Sequence, residues 1–247
     1  MKGQDVRNNA SCRLKTLATA LFFSGALSAC ATTANNPKDP YEGFNRAMFA
    51  VNEGIDTVAA KPLAQAYDAV APLPVKAGVG NFFGNIADVW TALNNLLQGK
   101  LGDAVSDVGR VIVNTTVGIG GVFDVASDMG LTKHTEEFGQ TLGVWGVGDG
   151  PYFFWPLIGP RTTRDTLGWA VDSYVDPVWG LDAVPLRNSL GATRFIDIRA
   201  SLLPTDKIVE EAAFDKYNYV RDAYLQNRRS QIYDGNPPRE PAGEDAR

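Results

Sequence analysis

Groups able to do covalent chemistry are few in this 247-residue chain and poorly matched to one another. Beyond residue 30, Ser106, Ser127, Ser173, Ser189, Ser201 and Ser230 share a single histidine, His134. A serine nucleophile needs a base within hydrogen-bond reach and a third group to orient that base. No serine sits in a G-x-S-x-G elbow. A hydrolase would have to be built on His134, an aspartate and one of these serines. As a metal ligand His134 lacks partners at ligand spacing, and a capping or surface role suits it better. Two glycine-rich stretches invite a phosphate reading, and both fail it. Gly118-Ile119-Gly120-Gly121-Val122-Phe123 puts Phe where a dinucleotide fingerprint needs its third Gly, and it follows a helical pattern, not a strand. Gly146-Val147-Gly148-Asp149-Gly150 lacks the Lys-Ser/Thr of a P-loop. The expectation is no catalytic residue, no metal and no nucleotide, so any driving force must come from partners.

The strongest chemical signal is Cys30. Lys2, Arg7, Arg13 and Lys15 precede an apolar run from Leu17 to Leu27, followed by Ser28-Ala29. A basic region, a short apolar run and small residues before a cut make a secretory signal. About a dozen apolar residues are too few to span a bilayer, which takes about 20. Leu27-Ser28-Ala29-Cys30 resembles the lipobox of bacterial lipoproteins. The resemblance implies cleavage before Cys30, a diacylglycerol on its sulfur and N-acylation. Three chains anchor far more firmly than one. Ala31, in place of Asp, implies export to the outer membrane. The alternative is an ordinary signal peptide with Cys30 near its cut.

Lys and Arg total 23 against 28 Asp and Glu, a net charge of −5, and loss of the +3 leader takes it to −8. Such a chain has no electrostatic footprint for nucleic acid and no basic patch for anionic lipid. Anchoring is left to the acyl chains. Cys12 leaves with the leader and Cys30 is acylated, so no disulfide is expected. Segment 1–29 is read as signal peptide, 30–38 as flexible acylated tether, 39–233 as one helical domain and 234–247 as disordered tail.

Within the domain the apolar spacing is helical. Phe44, Met48, Val51, Ile55 and Val58 share one face, opposite Asn45, Arg46, Asn52, Glu53 and Asp56. Pro62 ends this helix or starts another, which runs to Val70. After Pro72 and Pro74, Val75–Leu97 carries a wide apolar stripe against Lys76, Asn81, Asn85, Asp88, Asn94 and Asn95. Amides with so little charge suit an interface or a wet, confined lumen; a solvated face is the alternative. Gly99 stops this helix, and Leu101–Thr116 repeats its pattern. From Phe138 to Arg161, Gly and Pro are dense enough to predict no helix, only an extended hairpin or loop with aromatic walls. Those aromatics read as core or as a belt at headgroup level. Arg164–Val175 is expected to be helical, with Thr163 as N-cap and Leu167, Val171 and Tyr174 inward. Trp179–Leu186 is apolar enough to dip into a bilayer. Asn188–Leu203 follows as a helix, and Thr205 or Asp206 caps a last long one.

Several pieces in order resemble the VacJ/MlaA lipoprotein family: Asp39-Pro40-Tyr41-Glu42-Gly43-Phe44-Asn45-Arg46-Ala47-Met48-Phe49, Asn81-Phe82 with Gly84-Asn85, Asn114-Thr115 with Gly118-Ile119-Gly120-Gly121, and Phe138-Gly139, Thr141-Leu142-Gly143 and Gly146 to Tyr152. The match runs from Asp39 to the last helix. It implies a mainly α, ring-like domain of short broken amphipathic helices in the membrane plane, lipid-anchored in the inner leaflet of the outer membrane and facing the periplasm. It further implies a polar channel, binding to trimeric porins, withdrawal of phospholipid from the outer leaflet and hand-over to a soluble periplasmic carrier. A headgroup is costly to drag through hydrocarbon, and an amide-lined hole lowers that cost. Asn81, Asn85 and Asn94 are the candidate lining, and Gly146 with Gly148 the candidate gate hinge. The alternatives are a structural porin-associated lipoprotein and the hydrolase considered above.

Overall fold

The computed structural model describes residues 36–239, and the fold is mainly helical. The signal peptide, Cys30, most of the tether and the end of the tail lie outside the described residues. Helix α1 (Glu42–Ile55) passes through a π-helical turn (Asp56–Ala60) into α2 (Lys61–Val70). Next come α3 (Leu73–Leu97), α4 (Leu101–Thr116), the single turn α5 (Val125–Asp128) and α6 (Phe138–Val144). Strands β1 (Tyr152–Trp155) and β2 (Gly159–Thr162) form an antiparallel hairpin, with Phe153 opposite Arg161. Helices α7 (Thr163–Val175), α8 (Val184–Ser201), α9 (Leu203–Ala212) and α10 (Lys216–Ile232) complete the chain. No helix among the described residues is long and apolar enough to cross a membrane.

The breaks follow the punctuation. Pro72 is extended at ψ 153° and starts α3. Gly99 takes φ +80° beyond the end of α3, and its N–H and that of Lys100 bond back to Leu96 and Asn95 at 3.1 and 2.9 Å. The chain then reverses, and α4 packs along α3.

Three local readings change. Phe138–Val144 is a helix despite its glycines, because tertiary packing outweighs propensity. The backbones of Gly139 and Gly168 touch, and a Cβ on Gly168 would lie 2.6 Å from the Gly139 Cα. Asp172 Oδ1 also accepts the Phe138 N–H at 3.0 Å, satisfying the first turn of α6. The hairpin is present but begins only at Tyr152. The expected last helix is two: Ala213 is extended (ψ 113°), and Asp215 caps α10 by accepting the Asn218 N–H at 3.2 Å. The N-cap of α7 is Thr162, one residue earlier than expected, accepting from Asp165 N.

Polarity runs outward-in. The stripe of α3 stays exposed at Val75, Val89, Leu93 and Leu96, and that of α4 at Val105, Val108 and Ile112. Asn85, Asp88, Asn94, Asn95, Asp107, Arg110 and Asn114 of the same helices are buried. On α7, Leu167, Val171 and Tyr174 (91% exposed) are all exposed, contrary to the inward expectation, because Arg164, Asp165 and Gly168 fill the inner face. A small apolar centre remains where Phe49 meets Phe154 and Tyr217 edge-on, centroids 5.3 and 5.8 Å apart.

Candidate functional site: a charged cavity in an apolar exterior

Buried polar groups need partners, and the molecule supplies them in two ways. Along α3 and α4 they pair with one another. Arg110, only 1% exposed, gives Nη2 to Asp124 at 2.9 and 3.0 Å, Nε to Asp88 at 3.3 Å and Nη1 to the Leu131 carbonyl at 2.8 Å. Lys133 reaches Asp88 at 2.6 Å, and Asn95 donates to Asp107 at 2.7 Å. The ring nitrogens of His134 both face carboxylates of α4: Nδ1 lies 2.9 Å from Asp107, and Nε2 3.6 Å from Asp103. His134 is thus a clip holding the extended strap after α5 onto α4, where the sequence suggested a cap or a surface residue.

Two asparagines on α1, seven residues apart, close the open edge of β1. Asn45 donates to the Tyr152 carbonyl (3.0 Å) and accepts from Phe154 N (2.8 Å). Asn52 does the same for Trp155 O (2.9 Å) and Leu157 N (2.7 Å). Asp39, fully buried, holds Asn45 at 2.8 Å and accepts from Tyr217 Oη at 2.5 Å and Arg221 Nη1 at 3.3 Å. The Asp39–Asn45 spacing of the N-terminal motif therefore locks the first helix to the hairpin and to α10.

On the other side the inward polar groups leave space. A cavity of about 180 Å³ is lined by Phe49, Glu53, Asp56 and Thr57, then Lys61, Arg199, Asp206, Val209 and Glu210, and by Lys216 and Val220. Its charges have both signs. Arg199 forks onto Asp56 (2.6 and 2.8 Å) and reaches Asp206 at 2.7 Å. Lys61 lies 3.2 Å from Glu210 and 3.5 Å from Asp206, and Lys216 lies 3.5 Å from Glu53. Asp56 pushes the Arg199 guanidinium above its already high value, outweighing burial, and Glu210 does the same for the Lys61 ammonium. Both cations keep their charge at any physiological pH. No group of three or more metal-ligating residues occurs among the described residues. The lining has no serine, cysteine or histidine; it can solvate a charged or zwitterionic group.

The structure distributes the sequence-expected residues elsewhere. Asn94 is fully buried between α3 and α6, donating to Trp90 O at 2.9 Å and accepting from Thr141 Oγ1 at 2.7 Å. Asn85 donates to Thr115 Oγ1 at 3.0 Å, pressed against Gly121, where a Cβ would fall 2.6 Å from it. Asn81 donates to Val122 O at 3.1 Å. None of the three lines the cavity. Gly146 has φ +89° and ends α6, its N–H and that of Val147 bonding to Gly143 and Leu142 at 2.9 Å. Gly148 stands free, with nothing within 4 Å of an added Cβ. Both glycines belong to the exposed link between α6 and the hairpin.

Apolar stripes outside, paired polar groups inside and a two-signed cavity define the class: a mainly helical domain with its polarity turned inward. The chain belongs to the MlaA lipoprotein family, whose model matches residues 37–231. It is 34% identical over 218 residues to the "Intermembrane phospholipid transport system lipoprotein MlaA" of Escherichia coli K12, covering 87% of this chain and 86% of that one. The protein of the same description from Haemophilus influenzae is 30% identical over 232 residues, covering 90% and 92%. A solved structure, described as the "structural basis for maintenance of bacterial outer membrane lipid asymmetry", superposes with TM-score 0.69 at 32% identity, over 80% of this chain and 99% of that one.

Proposed function

We propose that this chain is an outer-membrane lipoprotein that removes phospholipid from the outer leaflet and returns it toward the inner membrane through a soluble periplasmic carrier. It works without covalent catalysis. Acyl chains on Cys30 tether it in the inner leaflet, and a ring of broken helices lies in the membrane plane beside a trimeric porin. The names of its relatives support the substrate class. One observation carries the mechanism: the charged cavity of α1, α2, α8, α9 and α10 sits in a domain whose apolar stripes face outward. Phospholipid tails stay in hydrocarbon while the head passes through a site where Lys61 and Arg199 replace water around the phosphate and Glu53 and Asp56 replace it around an ammonium. The link carrying Gly146 and Gly148 serves as the gate between the aromatic hairpin and α6.

The test is complementation. Cells lacking the chain should carry excess outer-leaflet phospholipid, measured by impermeant headgroup labelling, and the wild type should clear it. Cys30→Ala and Arg199→Glu should fail to clear it while remaining folded. Gly146→Pro or Gly148→Pro should jam the path or make it leak. Full clearance by Arg199→Glu would remove the cavity from the mechanism, and unchanged lipid in both proline variants would remove the gate.

A further inference from the structure

Helix α9 covers the cavity but is hardly built into the fold. None of its described side chains is buried. Pro204 opens it after the turn at Leu202, the extended Ala213 closes it, and Phe214 beyond is fully exposed. Charge holds it in place: Asp206 on Arg199 and Lys61, and Glu210 on Lys61, at 2.7, 3.5 and 3.2 Å. Arg199 is anchored from the other side by Asp56, and its Nη1 is buried with no acceptor.

We propose that α9 is a latch, and that Asp206 and Glu210 occupy on Lys61 and Arg199 the place of a phosphate or phosphodiester anion. The proposal rests on the conduit reading above. An Arg fork and a Lys ammonium donate to phosphate oxygens as readily as to carboxylates. A ligand shifts a two-state element only if it binds one state better. That condition is met, because the N–H of Arg199 Nη2 not held by Asp56, and the Lys61 donors held by Asp206 and Glu210, become free for an incoming anion only when α9 has left. An additional oxygen on the anion then gives Arg199 Nη1 its missing acceptor. Glu53 and Asp56 do not move with α9 and remain for a cationic end of the head.

The experiment uses the full acylated chain in nanodiscs, spin-labelled at Glu211→Cys on α9 and Gln65→Cys on α2, both exposed. The label–label distance is read by pulsed dipolar spectroscopy, and bound lipid by native mass spectrometry. Dihexanoyl phosphatidylglycerol should lengthen the distance, and dihexanoyl glycerol, which has no phosphate, should not. Inorganic phosphate is the third arm: opening by it assigns the subsite to the free anion as well as the head, and no opening assigns it to the head alone. Asp206→Asn with Glu210→Gln should lengthen the distance without ligand and lower the half-saturating phosphatidylglycerol concentration on the order of three- to tenfold. Matching circular dichroism spectra confirm that the double variant folds. Bound phosphatidylglycerol with an unchanged distance overturns the latch and leaves the conduit standing. Equal opening by dihexanoyl glycerol overturns the phosphate assignment. No bound phospholipid and no movement overturns both readings.

Discussion

The two polar regions of this molecule obey one rule and reach opposite ends. On the α3–α4 side, inward groups are matched chiefly to one another; Arg110 alone reaches Asp88, Asp124, Ser127 and a carbonyl, although Asn85 Oδ1 and Asn95 Oδ1 stay buried without a partner. On the α8–α10 side the ion pairs are partly exposed, from 2.6 Å at Arg199–Asp56 to 3.5 Å at Lys216–Glu53, and they surround a cavity. Both faces are the reverse of a soluble helix, whose apolar stripe faces the core. With the apolar stripes outside, polar pairing takes over much of the part that hydrophobic packing plays in a water-soluble core. Where the paired groups are buried they make a wall, and where they are partly exposed they border a site.

The comparison breaks most easily at Arg110. Arg110→Met strands Asp88 and the clamp on Asp124, and removing one partner of a buried pair costs about 3–5 kcal/mol. We expect a large fall in thermal midpoint in detergent, with the loop from Val117 to Phe123 becoming protease-sensitive. A midpoint within a degree or two of wild type would mean that the wall does not depend on its ion network. Gly168→Ala should come next, at about 1–3 kcal/mol or more, because its Cβ meets Gly139 backbone that cannot rotate away. Gly102→Ala, on an exposed helix face with nothing within 4 Å, should instead be neutral or slightly stabilising. Equal losses in the two glycine variants would refute the close α6–α7 contact.

Much of the wall was legible and the cavity was not, for a physical reason. Period-3.6 spacing gives each helix and both its faces, so α3 and α4 and the stop at Gly99 could be read directly. Which face points inward depends on the surrounding solvent, which no spacing records; Leu167 and Tyr174 were therefore placed on the wrong side. The polar face of α3 was legible as a face of amides, but the partners of Asn85 and Asn94, Thr115 and Thr141, come from other helices. The cavity needs residues as far apart as Asp56 and Arg199, and a break at Ala213 that has no Gly or Pro to announce it. The helix at Phe138–Val144 depends on Gly168, 30 residues downstream.

On the cavity side stability and function should separate. Arg199→Gln removes pairs that are partly exposed at Asp56 and Asp206, so its stability loss should stay near about 1 kcal/mol. Phospholipid clearance should nonetheless fall several-fold. A loss of stability as large as that of Arg110→Met would make the two regions equivalent and end the comparison.

The smallest expected effect lies at their junction, where Asp172 accepts from Trp90 Nε1 at 2.6 Å and from Phe138 N at 3.0 Å. Its other oxygen, Oδ2, is buried without a partner. Burial raises its pKa above the ordinary carboxylate value despite those two bonds, and Glu137 pushes the same way. With the folded pKa above the unfolded one, its contribution is full below the unfolded value and is lost as pH rises through the folded value. Asp165 behaves oppositely: burial alone would raise it, but Arg228, Tyr224 and Arg164 bring it below the usual value, so its contribution is lost only as pH falls. The two windows therefore do not overlap. Asp172→Asn keeps the accepting oxygen and removes the charge, so its midpoint should gain on wild type as pH rises from the carboxylate range toward neutrality. The gain should be about 1 kcal/mol or less. A wild-type-to-variant difference that stays constant with pH would mean that Asp172 is not held as a half-satisfied acid between α3, α6 and α7.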